Sequence, residues 1–147
     1  MNHCRILVMG LPGAGKTTLA AVVLKYLESY DMKCIWLNAD RVRKEYDDWD
    51  FSIEGRIRQS WRMKELASQI ECDYAIADFV APLAEMRDNF DAKWTIWVDT
   101  IAEGRFADTN NLFVEPTNFD FRIKTQDSEY WGKFIAECIL ADGNNRT

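Results

Sequence analysis

The sequence predicts a three-layer α/β fold, a mostly parallel five-stranded sheet with helices on both faces, on three observations. Short β-like runs alternate with longer helix-like runs along 147 residues, the pattern of a parallel sheet whose crossovers are helical. A glycine-rich turn, Gly10 to Gly15, joins the first apolar run directly to an Ala- and Leu-rich one. Hydrophobic residues make up 48% of the chain, ample for one core, and the length suits one domain over residues 1–147.

Taken in order, the first strand is expected at residues 5–9, an apolar run stopped by glycine and proline. The helix after it spans 16–29. A second strand is expected at 33–37, followed by helices at 40–46 and 52–70, the latter with Leu66 and Ile70 four apart, as on a buried helix face. The third strand, 74–77, precedes a helix at 84–89, and the fourth is 94–98. Residues 102–118, rich in Asn, Asp and Thr, form the least regular stretch; connectors this long are often lids. The fifth strand is expected at 121–123, and a last helix at 128–141, with Phe134, Cys138 and Ala141 as its buried stripe.

A formal charge of −6 argues against a nucleic-acid backbone or an anionic membrane as partner, since both attract cationic faces. Cys4, Cys34, Cys72 and Cys138 lack C-x-x-C spacing and His3 is the only histidine, so the pattern is that of reduced, buried thiols rather than of a zinc site. The apolar stretch at the amino terminus is too short for a signal sequence, and no run reaches the roughly 20 apolar residues that span a bilayer. A cytoplasmic protein is expected.

Gly10-Leu11-Pro12-Gly13-Ala14-Gly15-Lys16-Thr17-Thr18 satisfies G-x-x-x-x-G-K-[ST] between a strand and a helix, the context that confirms a P-loop. The glycines let successive N–H groups turn around a polyphosphate, at which the next helix aims its positive dipole end. Gly10, Gly13, Ala14, Gly15, Lys16, Thr17 and Thr18 are therefore expected to bind ATP. Lys16 would reach the β and γ phosphates, and the Thr17 hydroxyl would meet Mg²⁺. Asp78 closes the apolar run 74–77 as a carboxylate suited to hold Mg²⁺ through its water shell.

Other segments carry a resemblance. Leu37-Asn38-Ala39-Asp40-Arg41-Val42-Arg43, then Phe51-Ser52, Arg56-x-x-Gln59, Val80-Ala81-Pro82 and Trp97-Val98-Asp99-Thr100 resemble, in order, the L-D-G-D-N-x-R, F-S, R-x-x-N, I-S-P and V-D-T patterns of adenylylsulfate kinases. The resemblance implies a small-molecule kinase that phosphorylates the 3′-hydroxyl of adenylylsulfate with Mg-ATP, and a possible homodimer. It implies that Asp40 activates the acceptor hydroxyl or organises Mg²⁺, with N-capping of the following helix as the plain alternative. It also implies that Arg43 and Arg56 grip the acceptor's anion with planar forks, that Phe51 and Phe106 stack on a base, and that Gln59, Val80 and Ala81 line the same pocket.

The departures fall on the acceptor side. Asn38 stands for the first Asp of D-G-D, Gln59 for Asn and Ala81 for Ser, and the family's Lys-Gly-Leu-Tyr lid segment is missing, leaving Arg105 as the cation of a short lid. The family also has a Ser or Thr near the position of Asp78. Transfer to another nucleoside, modified nucleotide or sugar hydroxyl is therefore a second reading, and a non-catalytic nucleotide-binding module a third.

Overall fold

The computed structural model describes residues 4–144; His3 lies outside them. Their order is β1 (Cys4–Met9), α1 (Lys16–Ser29), β2 (Cys34–Asn38), α2 (Ala39–Tyr46), α3 (Ile53–Gln69), β3 (Tyr74–Asp78), α4 (Ala84–Phe90), β4 (Trp94–Val98), α5 (Ala107–Leu112), β5 (Phe121–Ile123) and α6 (Ser128–Asn144). The sheet runs β2-β3-β1-β4-β5, and every pairing is parallel. Helices cover both faces, as expected. β1 lies at the centre, so the loop at its carboxyl end sits where strand order reverses and ligands of such sheets bind.

Alternation along β1 divides the core. Ile6 and Val8 face α1 and α6 in one cluster with Leu19, Val23, Ile76, Ile96 and Ile135. Leu7 and Met9 face α2, α3 and α4 in the other, with Val42, Met63, Ala77, Met86 and Phe90. All four β1 residues are completely buried, each side chain contributing roughly 1.5–3 kcal/mol, so the P-loop springs from the most rigid strand. The four cysteines are free thiols, and among the described residues no helix is long and apolar enough to cross a membrane.

Three expectations are corrected. β2 continues through Asn38 and α2 begins at Ala39, so no turn separates them. The buried stripe of α6 is Ile135, Ala136, Ile139 and Leu140; Phe134 is largely exposed and packs edge-on against Phe121 and Trp131 at the rim. In α3 the inward stripe contains Met63 and Ala67, and Ile70 faces outward. The irregular 102–118 stretch also contains α5, a six-residue helix.

α6 shifts its stripe because Gly132 sets the contact with α1. A Cβ at Gly132 would lie 2.3 Å from Val22 Cγ1 and 2.7 Å from Val22 Cβ. Gly132→Ala is therefore expected to destabilise the protein by about 1–3 kcal/mol through overpacking, despite alanine's advantage of about 1 kcal/mol in helix propensity. Urea unfolding checks this: an unchanged or raised midpoint means that Gly132 does not set the helix spacing.

Candidate active site

Gly10, Gly13 and Gly15 take φ of 150°, 89° and 104°, a region that side chains disfavour, and together they wrap the loop. Gly15 caps α1 without a side-chain acceptor, which leaves the first N–H groups of the helix for an anion. The loop is tied from both sides, by Ala14 N–H donating to Leu11 O at 3.1 Å and Thr100 Oγ1 donating to Ala14 O at 2.6 Å. Lys16 is 9% exposed and donates from Nζ to Leu11 O at 3.1 Å. Burial pushes its ammonium down from 10.5 to about 8; Asp78 and Asp40 oppose that, and Arg105 adds to it. Both acids and the lid arginine therefore lie within electrostatic reach of the P-loop lysine.

Asp78, 2% exposed, collects three donors. Thr17 Oγ1 donates to Oδ1 at 3.1 Å, Trp36 Nε1 to Oδ2 at 2.6 Å, and Asn38 Nδ2 to both oxygens at 3.1 and 3.3 Å. Burial raises the carboxyl's pKa; these hydrogen bonds and Lys16 pull it back. Asn38 is also the N-cap of α2, its Oδ1 accepting from Arg41 N–H at 3.1 Å. The capping alternative for Asp40 is thus filled by Asn38, and Asp40 stands exposed in the first helical turn.

On α2 and α3, Arg43 and Arg56 are 5% and 7% exposed, and both guanidinium groups lie against Phe51, at 4.3 and 5.5 Å from its ring centre. Arg43 Nη1 donates to the carbonyls of Asp48 and Asp50; its Nε and Nη2 have no hydrogen-bond partner among the described residues. Arg56 donates from Nε to Phe51 O at 2.8 Å and from Nη2 to Thr109 Oγ1 at 3.1 Å, with Asp108 Oδ2 at 3.7 Å. Burial lowers the pKa of Arg43; Asp48 opposes this and Arg56 reinforces it, so the two cations are packed close enough to repel. Phe51 keeps its ring 47% exposed. Gln59 is buried, donating to Ala39 O and accepting from Arg62, which makes it a brace between α2 and α3.

The lid segment is pinned at three points. Asn110 exchanges two hydrogen bonds with the Gly104 backbone, Thr109 is buried against Arg56, and Val114 N–H donates to Pro82 O at 2.7 Å. Arg87 clamps the carbonyls of Ala81, Pro82 and Val114, holding the Val80-Ala81-Pro82 turn to the lid. Ala81 is buried at φ 47° and Val80 is half-buried. Phe106 is half-exposed beneath the Arg105 guanidinium, at the start of α5. Across the P-loop, a cavity of about 290 Å³ is lined by Gly13, Thr18, Thr100, Thr125 and Gln126.

The Adenylylsulphate kinase family model matches residues 2–103. The chain belongs to the adenylylsulphate kinase family. The match ends where the short lid begins. Solved kinases share the fold across the rest of the chain. The APS kinase CysC of Mycobacterium tuberculosis, solved with AMPPNP and APS, aligns over 94% of this chain and 98% of its own at 19% identity and TM-score 0.76. A shikimate kinase of Acinetobacter baumannii, solved with shikimate, covers 96% and 95% at 18% identity and TM-score 0.62. A sugar kinase of Janibacter sp. covers 95% of each chain at 16% identity and TM-score 0.67. This member of the family is a P-loop kinase by fold.

Sequence reasoning named Asp78, Asp40 and the arginines, met Thr100 only as part of a pattern, and passed over Trp36 and Thr109. A signal for Trp36 was present, because it stands two residues before Asn38 on one strand and so shares its face. Nothing near Thr109 in the sequence connects it to Arg56, 53 positions away.

The lowered Lys16 pKa sets a sign for stability. Between about pH 8 and 10.5 the unfolded chain binds more protons at this residue than the folded one, so folding is favoured increasingly as pH rises through that window. Below it the full burial cost acts. Lys16→Met is expected to abolish phosphoryl transfer yet raise the stability of the nucleotide-free protein at neutral pH, by a margin that closes toward about pH 10. Urea unfolding at both pH values checks it; a margin independent of pH would mean the amine is hydrated.

Proposed function

We propose that the chain transfers the γ-phosphoryl group of ATP to the 3′-hydroxyl of adenylylsulfate. The observation that carries this reading is the pair Arg43 and Arg56, both buried, with Phe51 laid against them and Arg43 without a carboxylate in ion-pair distance among the described residues. Two buried guanidinium groups, of which only Arg56 meets a carboxylate, that of exposed Asp108 at 3.7 Å, favour an anionic partner, and half-exposed Phe51 beside them suits a base carried by the same ligand. The activity of the Mycobacterium tuberculosis relative, solved with AMPPNP and APS, agrees with that chemistry.

In this reading the P-loop amides and Lys16 hold the phosphates, and the cavity beside Thr125 and Gln126 takes the donor's base. Mg²⁺ fits the donor set: the Thr17 hydroxyl and the exposed Asp40 carboxylate are hard oxygen groups, Asp78 would act through the cation's water shell, and a cation that keeps several waters needs few direct ligands. When bound, it would neutralise charge on the phosphates. Asp40, exposed between Lys16 and Arg43 in its electrostatic reach, takes the acceptor's proton or orients its hydroxyl. Arg105 adds positive charge on the lid side.

Transfer to another sugar or nucleoside hydroxyl has one observation in its favour. Gln59 is 2% exposed and is hydrogen-bonded to Ala39, Met63 and Arg62, so one position that the resemblance assigns to the acceptor is turned away from it. Phosphorylation of adenylylsulfate by Mg-ATP, measured beside adenosine and a panel of sugars, separates the readings; turnover of a neutral sugar alone would overturn the adenylylsulfate assignment.

Phe51→Ala is expected to weaken adenylylsulfate binding by roughly 1–3 kcal/mol, the worth of one aromatic–base stack, with ATP binding unchanged. Arg43→Lys is expected to weaken adenylylsulfate far more than adenosine, because an ammonium does not reproduce a planar fork. Calorimetric titration of both variants with both ligands checks this. Asp40→Asn is expected to lower kcat by about 10²–10⁴-fold with little change in the KM for ATP; parallel losses in stability and turnover would return Asp40 to a structural role.

A further inference from the structure

The Asp78 carboxylate has two oxygens and almost no solvent exposure, and four donor contacts already reach it. Oδ1 accepts from Thr17 and Asn38, Oδ2 from Trp36 and Asn38. The Asn38 amide shares two hydrogens among both carboxylate oxygens and the Thr17 oxygen, and with both of its oxygens engaged and buried, Asp78 is poorly placed for direct coordination. Thr17 differs. Its hydroxyl proton is committed to Asp78 at 3.1 Å, its oxygen receives the Asn38 amide at 3.3 Å, and the residue is exposed at the mouth of the P-loop. A hydroxyl oxygen has two lone pairs, so one remains on an exposed residue.

Two of the donors share a strand face. Trp36 and Asn38 stand two apart on β2, and Asn38 is paired in register with Asp78 on β3. The amide cannot turn over freely, since its Oδ1 is held by Arg41 N–H as the cap of α2. That fixes Nδ2 toward the carboxylate. Trp36 then fills the remaining side of Oδ2 with the shortest contact of the set, 2.6 Å.

We infer that Trp36 and Asn38 are positioning residues for the divalent cation that accompanies the donor nucleotide. They lock Asp78 so that its Oδ1 takes the Thr17 proton, which turns the free lone pair of Thr17 toward the cation; Asp78 acts on the cation from one hydrogen bond behind. Neither residue touches cation or nucleotide. This inference rests on the nucleotide-binding reading of the P-loop, and the experiment distinguishes failure of one from failure of the other.

Calorimetric titration with the non-hydrolysable ATP analogue AMPPNP, once with Mg²⁺ and once with EDTA, gives the Mg²⁺-dependent gain in affinity. In Trp36→Phe, which keeps the ring and removes the N–H, that gain is expected to fall by about 10–100-fold, the usual effect of losing a group that orients a metal ligand, while affinity in EDTA is unchanged. Asn38→Ser retains an oxygen able to cap α2 but loses both amide hydrogens, and is expected to shift in the same direction. A Mg²⁺-dependent gain equal to wild type in both variants overturns the positioning role alone. Equal losses with and without Mg²⁺ overturn it too, marking the two as packing residues. A wild-type chain that binds AMPPNP in neither condition overturns the nucleotide reading and this inference with it.

Discussion

Burying the Asp78 carboxylate to 2% exposure imposes a demand that much of the site answers, because an ionised oxygen without a donor in a low-dielectric interior costs several kcal/mol. The donors come from two segments far from it in sequence, Thr17 at the start of α1 and Trp36 and Asn38 on β2, while Asp78 itself ends β3. Satisfying one buried charge therefore fixes the P-loop helix against two neighbouring strands. It also fixes α2, since the amide that donates to Asp78 caps that helix through its other end. Asp40 is placed in the first turn of α2 as a consequence.

The pair Arg43 and Arg56 shows the opposite condition. Arg43 and Arg56 are nearly as buried as Asp78, yet their acceptors are mainly backbone carbonyls and one hydroxyl, and the nearest carboxylate is that of exposed Asp108. Packing two guanidinium groups against one ring costs stability through desolvation and repulsion. Such a cost, held in place by α2, α3 and the lid, is the usual mark of a pocket arranged for an anion. The lid helix α5 owes its existence to this pocket. Its sequence, Ala-Asp-Thr-Asn-Asn-Leu, has weak helix propensity, and Thr109 on Arg56 with Asn110 on Gly104 supplies what propensity does not.

Fold legibility followed periodicity. The strands, and the helices around them, were readable because a parallel sheet buried on both faces demands apolar runs separated by helical crossovers. Where reading failed, tertiary contact overruled local pattern: α6 turned its Ile135 and Ile139 stripe inward because Gly132 must meet Val22, and Phe134 found aromatic neighbours at the rim instead. α5 was invisible for the same reason.

The sequence alone determined the phosphate site, because a P-loop is local: its glycines, Lys16 and Thr17 are contiguous, and their geometry follows from backbone conformations that neighbouring residues dictate. It also carried the order of Asp40, Arg43, Phe51 and Arg56, enough for family membership. Only the tertiary structure decided how those residues are held. Asn38 read as a departure from a motif and became both helix cap and partner of Asp78; Trp36 carried no role in the sequence and became the closest donor to that carboxylate; Thr109 read as part of an irregular stretch and became the anchor of Arg56. Apart from the local cap on Arg41, each role joins groups that are distant along the chain, and a hydrogen bond between distant segments leaves no periodic trace in the sequence.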